Sequence, residues 1–312
     1  MDIKKKFLPN NSNGEPLDSG FEREYIFFKV RFNNFRDVSN SPKHEVIDRE
    51  EWDECECVLY LPDSYSNTGD ETPLVISCHG AGAIVNMEKK QIGGLEYVYD
   101  CLDAGYAVMD VNGTAPHGVT MGCPEHIFAL HKAYLYAVKN YNLSKQVLVA
   151  GASMGGQTAM NFANAFSSIV IAIGLIFPRL NMDGITIDDH YCIGTWDKVK
   201  KWNSGKSTRD FMIDSYHFPG EEWYEPNTIG FNPYKSRSFI NSDGERVVMP
   251  LCPIKVWQGK DDPTVDAVMT TEFVNSVRRG GCYIEYRLID GVVHSVTPVM
   301  SRELVLWFNR FI

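Results

Sequence analysis

The chain is short of the features that mark several large protein classes. No stretch is dense in lysine and arginine, and the net charge is −10 across 312 residues. A surface that tracks nucleic-acid phosphates is therefore not expected. The most apolar run, Ile169 to Phe177 (IVIAIGLIF), is about half of the ~20 residues a membrane helix needs. Lys4-Lys5-Lys6 is followed by Asn10-Asn11-Ser12-Asn13-Gly14 and not by an apolar core, so no signal peptide is read. The eight cysteines are scattered, with no C-x-x-C pair. In a chain this long such thiols are expected to be small buried groups and not zinc ligands or disulfides, which favours a reducing, cytoplasmic setting. No G-x-G-x-x-G or Walker pattern follows a strand-like run, so no nucleotide cofactor is implied. His126 and His131 stand five apart on a helical stretch and face different ways, so no metal pair is expected there. No cofactor and no metal is expected anywhere in the chain. Repeats and low-complexity segments are absent, and the sequence does not fix an oligomeric state.

What is present is a core-forming chain, 44% apolar. Residues 1–20 are polar and rich in asparagine and glycine, and read as a flexible arm. Residues 21–312 read as one α/β domain. Strands are expected at Glu24 to Phe32, Glu54 to Leu61, Pro73 to Ser77, Tyr106 to Val111, Gln146 to Ala150, Ser168 to Phe177, Ile254 to Trp257 and Tyr283 to Leu288. Helices are expected at Gly94 to Ala104, Pro124 to Tyr141, Gln157 to Ala165, Asp266 to Arg279 and Val299 to Ile312. The alternation argues for a mostly parallel sheet with helices on both faces. Residues 179–250 break the alternation. They are rich in aromatics, among them Trp196, Trp202, Trp223 and Tyr224, and read as an inserted cap or lid whose rings could line a pocket. Within it, Glu221-Glu222 reads first as exposed cap surface, and second as a grip for an amino terminus.

The centre of the sequence is Gly151-Ala152-Ser153-Met154-Gly155-Gly156, between an apolar strand and a helix-permissive stretch. Strand, tight turn, helix is the context in which G-x-S-x-G forms a nucleophile elbow. The serine sits on a strained turn, and only residues without bulk fit two positions before and after it. The first amides of the following helix then face any negative charge that develops at the serine. In a parallel sheet the site lies at the carboxyl ends of the strands, where Ser153 and His79-Gly80 both fall.

An acid after a late strand and His294 after the last strand complete the order serine, acid, histidine. On His79-Gly80-Ala81-Gly82, Gly151 to Gly156, Gly259 to Val265 and Gly291 to His294, the chain resembles the α/β-hydrolase superfamily from about residue 54 to its end. It is most similar to the branch holding dienelactone hydrolases, acetyl-xylan and feruloyl esterases and prolyl-oligopeptidase catalytic domains. The resemblance implies an α/β-hydrolase fold and a serine hydrolase. Ser153 would be the nucleophile and His294 the base that takes its proton and returns it to the leaving group.

Asp261 and Asp262 compete as the acid that orients His294. Asp262 precedes Pro263, which biases it toward extended backbone, and the superfamily spacing from Gly259 to Val265 also selects it. Asp261 then reads as a solvated turn residue, with Asp266 and Asp290 more distant alternatives. The oxyanion hole is expected from the Met154 amide and, by resemblance, the Ala81 amide, with Gly82 the other candidate. His79 is expected to brace that loop. His117 and Gly82, with Trp196 and Trp223 of the cap, are candidate substrate contacts.

The expected activity is hydrolysis of small carboxylic esters, acylated carbohydrates among them, through an acyl-enzyme. A short-peptide peptidase of the prolyl-oligopeptidase type is the first alternative. About 50 residues precede the first matched strand, which leaves little room there for a gating propeller. A non-catalytic binding protein on the same fold is the second, disfavoured because all three triad positions are filled.

Overall fold

Apolar runs become the middle of the sheet, and their polar ends become its rim. The computed structural model describes residues 3–7, 23–33, 52–93, 97–113, 119–181 and 229–312. In chain order the strands are β1 Ile3–Phe7, β2 Arg23–Asn33, β3 Trp52–Tyr60, β4 Thr72–Cys78, β5 Val85–Asn86, β6 Gln91–Ile92, β7 Ala107–Val111, β8 Leu143–Ala152, β9 Val170–Ile176, β10 Ser238–Ile240, β11 Arg246–Val248, β12 Ile254–Gly259 and β13 Ile284–Ile289. The helices that position the site are α1 Tyr97–Asp103, α2 Pro124–Asn140, α3 Met154–Ala165, α4 Ala267–Arg279 and α5 Pro298–Phe308.

Among the described residues one nine-stranded sheet runs in the order β1-β2-β3-β7-β4-β8-β9-β12-β13. From β7 to β13 every pairing is parallel. β3 pairs antiparallel with β7, and β2 and β1 continue antiparallel to that edge. The parallel strands are buried on both faces, as their unbroken apolar runs require. Along β8, Val147 and Val149 face one core, while Leu148, Ala150 and Ala152 face the other. Residues of α2, α3 and α4 fill the first core, and residues of α1 and α5 fill the second.

The expected strands and helices are recovered within a few residues at each end. Two differences are instructive. The expected N-terminal arm contains a strand, β1, whose Ile3 to Phe7 pair with Phe27 to Arg23 of β2. A lysine-rich sequence suits a sheet edge, where charge discourages pairing with another chain. It carries no period-2 apolar signal, and so reads as loop. The second difference is the hairpin β10–β11, which falls inside the range expected to be cap. Of the rest of that range, residues 182–228 lie outside the described residues. Among the described residues no helix is long and apolar enough to cross a membrane.

Candidate active site

Ser153 stands between the last residue of β8 and the first of α3, at φ 55° and ψ −123°. That left-handed region is strained for a residue with a side chain, at a cost of about 1–3 kcal/mol. Three backbone hydrogen bonds hold it there. Its amide donates to the Ile176 carbonyl at 3.1 Å, and its carbonyl accepts the amides of Gly156 and Arg179 at 3.0 and 2.9 Å. The flanking glycines are sterically required. A Cβ on Gly151 would overlap the Gly155 carbonyl, and a Cβ on Gly155 would overlap the Cys78 carbonyl at the end of β4.

His294 lies in the loop between β13 and α5. Its Nε2 stands 2.9 Å from the Ser153 Oγ, and its Nδ1 stands 2.8 Å from the Asp262 Oδ2. An ionised carboxylate only accepts, so Nδ1–H donates to Asp262 and leaves Nε2 to accept a hydrogen bond from the Ser153 hydroxyl. The Phe177 ring packs against the imidazole, with centroids 4.3 Å apart. The chain thus brings three residues together from positions 141 and 32 apart in sequence.

Asp262 is the acid that meets His294. Its Oδ1 accepts the Thr264 and Val265 amides at 2.8 and 3.0 Å. Its Oδ2 accepts Gln258 Nε2 at 3.2 Å in addition to His294. Burial alone would raise this carboxyl. The hydrogen bond and charge of His294, then the Val265 and Thr264 amides, outweigh burial and hold it below the usual carboxylate range. Asp261 turns the other way and accepts the Gly291 amide at 2.8 Å, while its own amide donates to the Val292 carbonyl at 3.2 Å. It is exposed, as expected, yet it fastens the histidine loop to β12. Asp266 caps α4 by accepting the Val268 amide, and Asp290 pairs with Lys260.

Met154 is the first residue of α3, where an amide has no acceptor within its own helix. The other expected donor lies in a turn from Gly80 to Ala83, closed by a 3.3 Å bond from the Ala83 amide to the Gly80 carbonyl. Gly82 takes φ +87°, which the third position of a type II turn demands. The turn begins beside Ser153: a Cβ on Gly80 would lie 3.7 Å from the Ser153 Cβ.

Beneath that turn, His79 is buried and its Nδ1 stands 2.9 Å from the Asp110 carboxylate at the end of β7. His126 is buried next to it. Its Nδ1 pairs with the Thr120 hydroxyl and its Nε2 with the Val111 carbonyl. Burial first, and then the nearby His79, push the His126 imidazole down to about 3, against a modest upward pull from the Val111 carbonyl. It is a neutral packing group. Among the described residues no cluster of histidine, cysteine and acid could hold a metal.

His117, Trp196, Trp223 and Glu221-Glu222 lie outside the described residues. Four further polar residues, not singled out in the sequence, are buried around these elements. Gln258 and Thr270 stand behind Asp262, with Thr270 Oγ1 donating to Gln258 Oε1 at 2.9 Å. Gln157 and Asn161, one turn apart on α3, donate to the Met121 and Gly122 carbonyls at 2.8 and 3.0 Å. Both also reach the Phe231 carbonyl, at 3.4 and 2.7 Å.

No protein-family model matches the chain, and no curated protein does. Solved structures do. An S-formylglutathione hydrolase from Agrobacterium tumefaciens aligns with TM-score 0.59 and 13% identity, over 94% of this chain and 96% of its own. A truncated carbohydrate esterase from gut microbiota aligns with TM-score 0.57 and 15% identity, over 81% and 90%. A puromycin-hydrolyzing peptidase from Mycobacterium tuberculosis aligns with TM-score 0.60 and 15% identity, over 83% of this chain. The chain spans 37% of that peptidase's length. These neighbours share one architecture with the chain, and with the sheet order they show its fold, a mostly parallel sheet flanked by helices of the α/β-hydrolase type.

Proposed function

We propose that the protein is a serine hydrolase that cleaves small carboxylic esters through an acyl-enzyme. The observation that carries this reading is the unbroken line of hydrogen bonds from Ser153 Oγ through His294 to Asp262, at 2.9 and 2.8 Å. In this reading Ser153 Oγ attacks the ester carbonyl carbon while His294 Nε2 takes its proton. The imidazolium, held in its tautomer by Asp262, then protonates the departing alkoxide, which leaves as the alcohol. Water attacks the acyl-enzyme by the same route in reverse. It gives a proton to His294, and Ser153 Oγ recovers it as the acid departs. The developing oxyanion is met by the Met154 and Ala81 amides, and losing one such donor costs about a hundredfold to a thousandfold in rate.

The ester reading draws support from coverage. The two neighbours that are named esterase or S-formylglutathione hydrolase match this chain over 90% and 96% of their own lengths. The carbohydrate esterase among them favours acylated sugars within the ester class. A second reading, a short-peptide serine peptidase, is favoured by the peptidase neighbours, which match over 37% and 39% of theirs. A cytoplasmic setting fits the described cysteines, all of which are free thiols.

The deciding experiment is fluorophosphonate labelling with p-nitrophenyl acetate turnover, on wild type and Ser153→Ala. Labelling and turnover that vanish in a folded Ser153→Ala protein support the reading. A folded wild type that neither labels nor turns over overturns it. A panel of acyl esters and aminoacyl amides then separates the two substrate classes.

A further inference from the structure

Gln258 is the last residue but one of β12 and has no solvent exposure. Its Nε2 faces three acceptors: Asp262 Oδ2 at 3.2 Å, the Val265 carbonyl at 3.1 Å and its neighbour's Gly259 carbonyl at 3.0 Å. Three acceptors around one end of the amide fix its orientation, because the flipped rotamer would set oxygen against oxygen. The Thr270 hydroxyl, buried on α4, donates to the other end at 2.9 Å. Thr270 thus holds Gln258, and Gln258 holds one oxygen of Asp262.

That oxygen is the one His294 uses. Asp262 Oδ1 is filled by two backbone amides, so the carboxylate cannot rotate without breaking them. Oδ2 is shared between His294 Nδ1 and Gln258 Nε2. Four donors match the roughly four lone-pair sites of an ionised carboxylate, and a protonated one would have to give a donor up. His294 is the titratable group in contact with Asp262. The adjacent Asp261 gives its carboxylate to the Gly291 amide, and Lys260 pairs with Asp290.

We infer that Gln258, held by Thr270, is a positioning residue that keeps Asp262 ionised and aimed at His294. The inference rests on the proposed triad and adds to it a polar layer behind the acid, drawn from β12 and α4. Its geometric requirement is specific. A side chain of equal volume without the donor takes away the two N–H groups that these three acceptors share, and leaves His294 as the one side-chain donor on Asp262 Oδ2 among the described residues. A valine at 270 leaves Gln258 in place but frees its amide to tilt. The two changes therefore act in one direction with different depth.

The test uses the full chain with Gln258→Met and Thr270→Val. Two readouts are followed: the pH profile of kcat and KM on p-nitrophenyl acetate, and the His294 imidazole resonances by NMR across pH. For Gln258→Met the expected result is kcat down about tenfold to a hundredfold with KM within about twofold, for Thr270→Val a smaller loss. Either change weakens the support of the Asp262 carboxylate, so the Nδ1–H resonance should shift and the acid limb of the profile should move. In an Asp262→Asn background the Gln258→Met change should add little, since the two act as a unit. Because Gln258→Met removes buried hydrogen bonds, Thr270→Val and the NMR titration keep the inference testable if that variant folds poorly. An unchanged His294 titration and pH profile in folded Thr270→Val and Gln258→Met overturns it, as does full additivity with Asp262→Asn. The NMR titration needs no turnover, so it reads the Gln258 role even if the ester reading fails on wild type.

Discussion

Gly155 approaches the carbonyl oxygen of Cys78 so closely that a Cβ at 155 would overlap it. This contact sets the depth at which α3 docks on the end of β4, and so the height of Ser153 above the sheet. It also explains why the pentapeptide is more than a loop motif. One glycine packs against a neighbouring strand, and the other, Gly151, packs against the first.

Replacing Gly155 by alanine should therefore cost about 1–3 kcal/mol of stability by overpacking, with near-complete loss of fluorophosphonate labelling. Gly69→Ala is the control, because its added Cβ would meet only ordinary van der Waals contacts at 3.9 Å or more. Urea unfolding of both variants beside wild type checks the difference. Equal stabilities would mean that the elbow relaxes without strain.

Ser153 itself stores strain at φ 55°. Ser153→Gly should therefore be more stable than Ser153→Ala by about 1 kcal/mol, since only glycine relieves the backbone. Both should be inactive. Thermal unfolding of the pair reads the strain separately from the chemistry, because neither carries the hydroxyl.

How much of this was legible in the sequence depends on the range of the signal. That Ser153 and His294 meet was readable because a strand, a glycine turn and the order of the elements can be read along the chain. Asp262 was readable over Asp261 because Pro263 constrains its backbone. Gln258 and Thr270 were not, since each is one polar residue whose meaning is a partner across space. Gln258 follows Ile254 to Trp257 (IKVW) near the end of its strand, where a polar residue looks like an ordinary strand terminus. The lysines of β1 hid a strand because edge strands are built from the residues that loops use. Asp261 shows the reverse case: it reads as solvent-facing and is, yet its carboxylate still fixes the Gly291 amide.

The two adjacent aspartates should part company under conservative substitution. Asp262→Asn removes the charge that stabilises the imidazolium and places a donor where an acceptor is needed, so turnover should fall about a thousandfold to ten-thousandfold. Asp261→Asn keeps an oxygen for the Gly291 amide and should cost less than about tenfold. Steady-state rates on one ester decide it. A larger loss at 261 than at 262 would reverse the assignment of the acid.

Asp262 should also carry part of the acid stability of the fold. Its folded carboxyl lies below its ordinary value, so its stabilising contribution is complete above the unfolded value near 4. The contribution is lost as the pH falls through the lower folded value. Asp262→Asn should therefore flatten the stability curve below about pH 4 and leave its shape above about pH 5 unchanged. Urea midpoints across that range test the sign: a variant that steepened the acid limb would contradict it.

His126 should act in the same direction over a higher window. The folded imidazole is pushed down to about 3, while the unfolded one titrates at its ordinary value near 6.5. Between those values the unfolded chain binds a proton that the folded chain refuses. Stability is thus unaffected above about pH 6.5 and falls as the pH drops toward 3. Each unit within the window is worth at most about 1.4 kcal/mol, so wild type should lose on the order of 2 kcal/mol from this group between about pH 7 and about pH 4.5. His126→Gln does not titrate and should show that much less loss over the same interval, even if it is less stable at pH 7. Urea unfolding at the two pH values, with the slopes and not the absolute stabilities compared, isolates the group. Equal slopes would mean that His126 takes up its proton in the folded state, which its burial and the neighbouring His79 argue against.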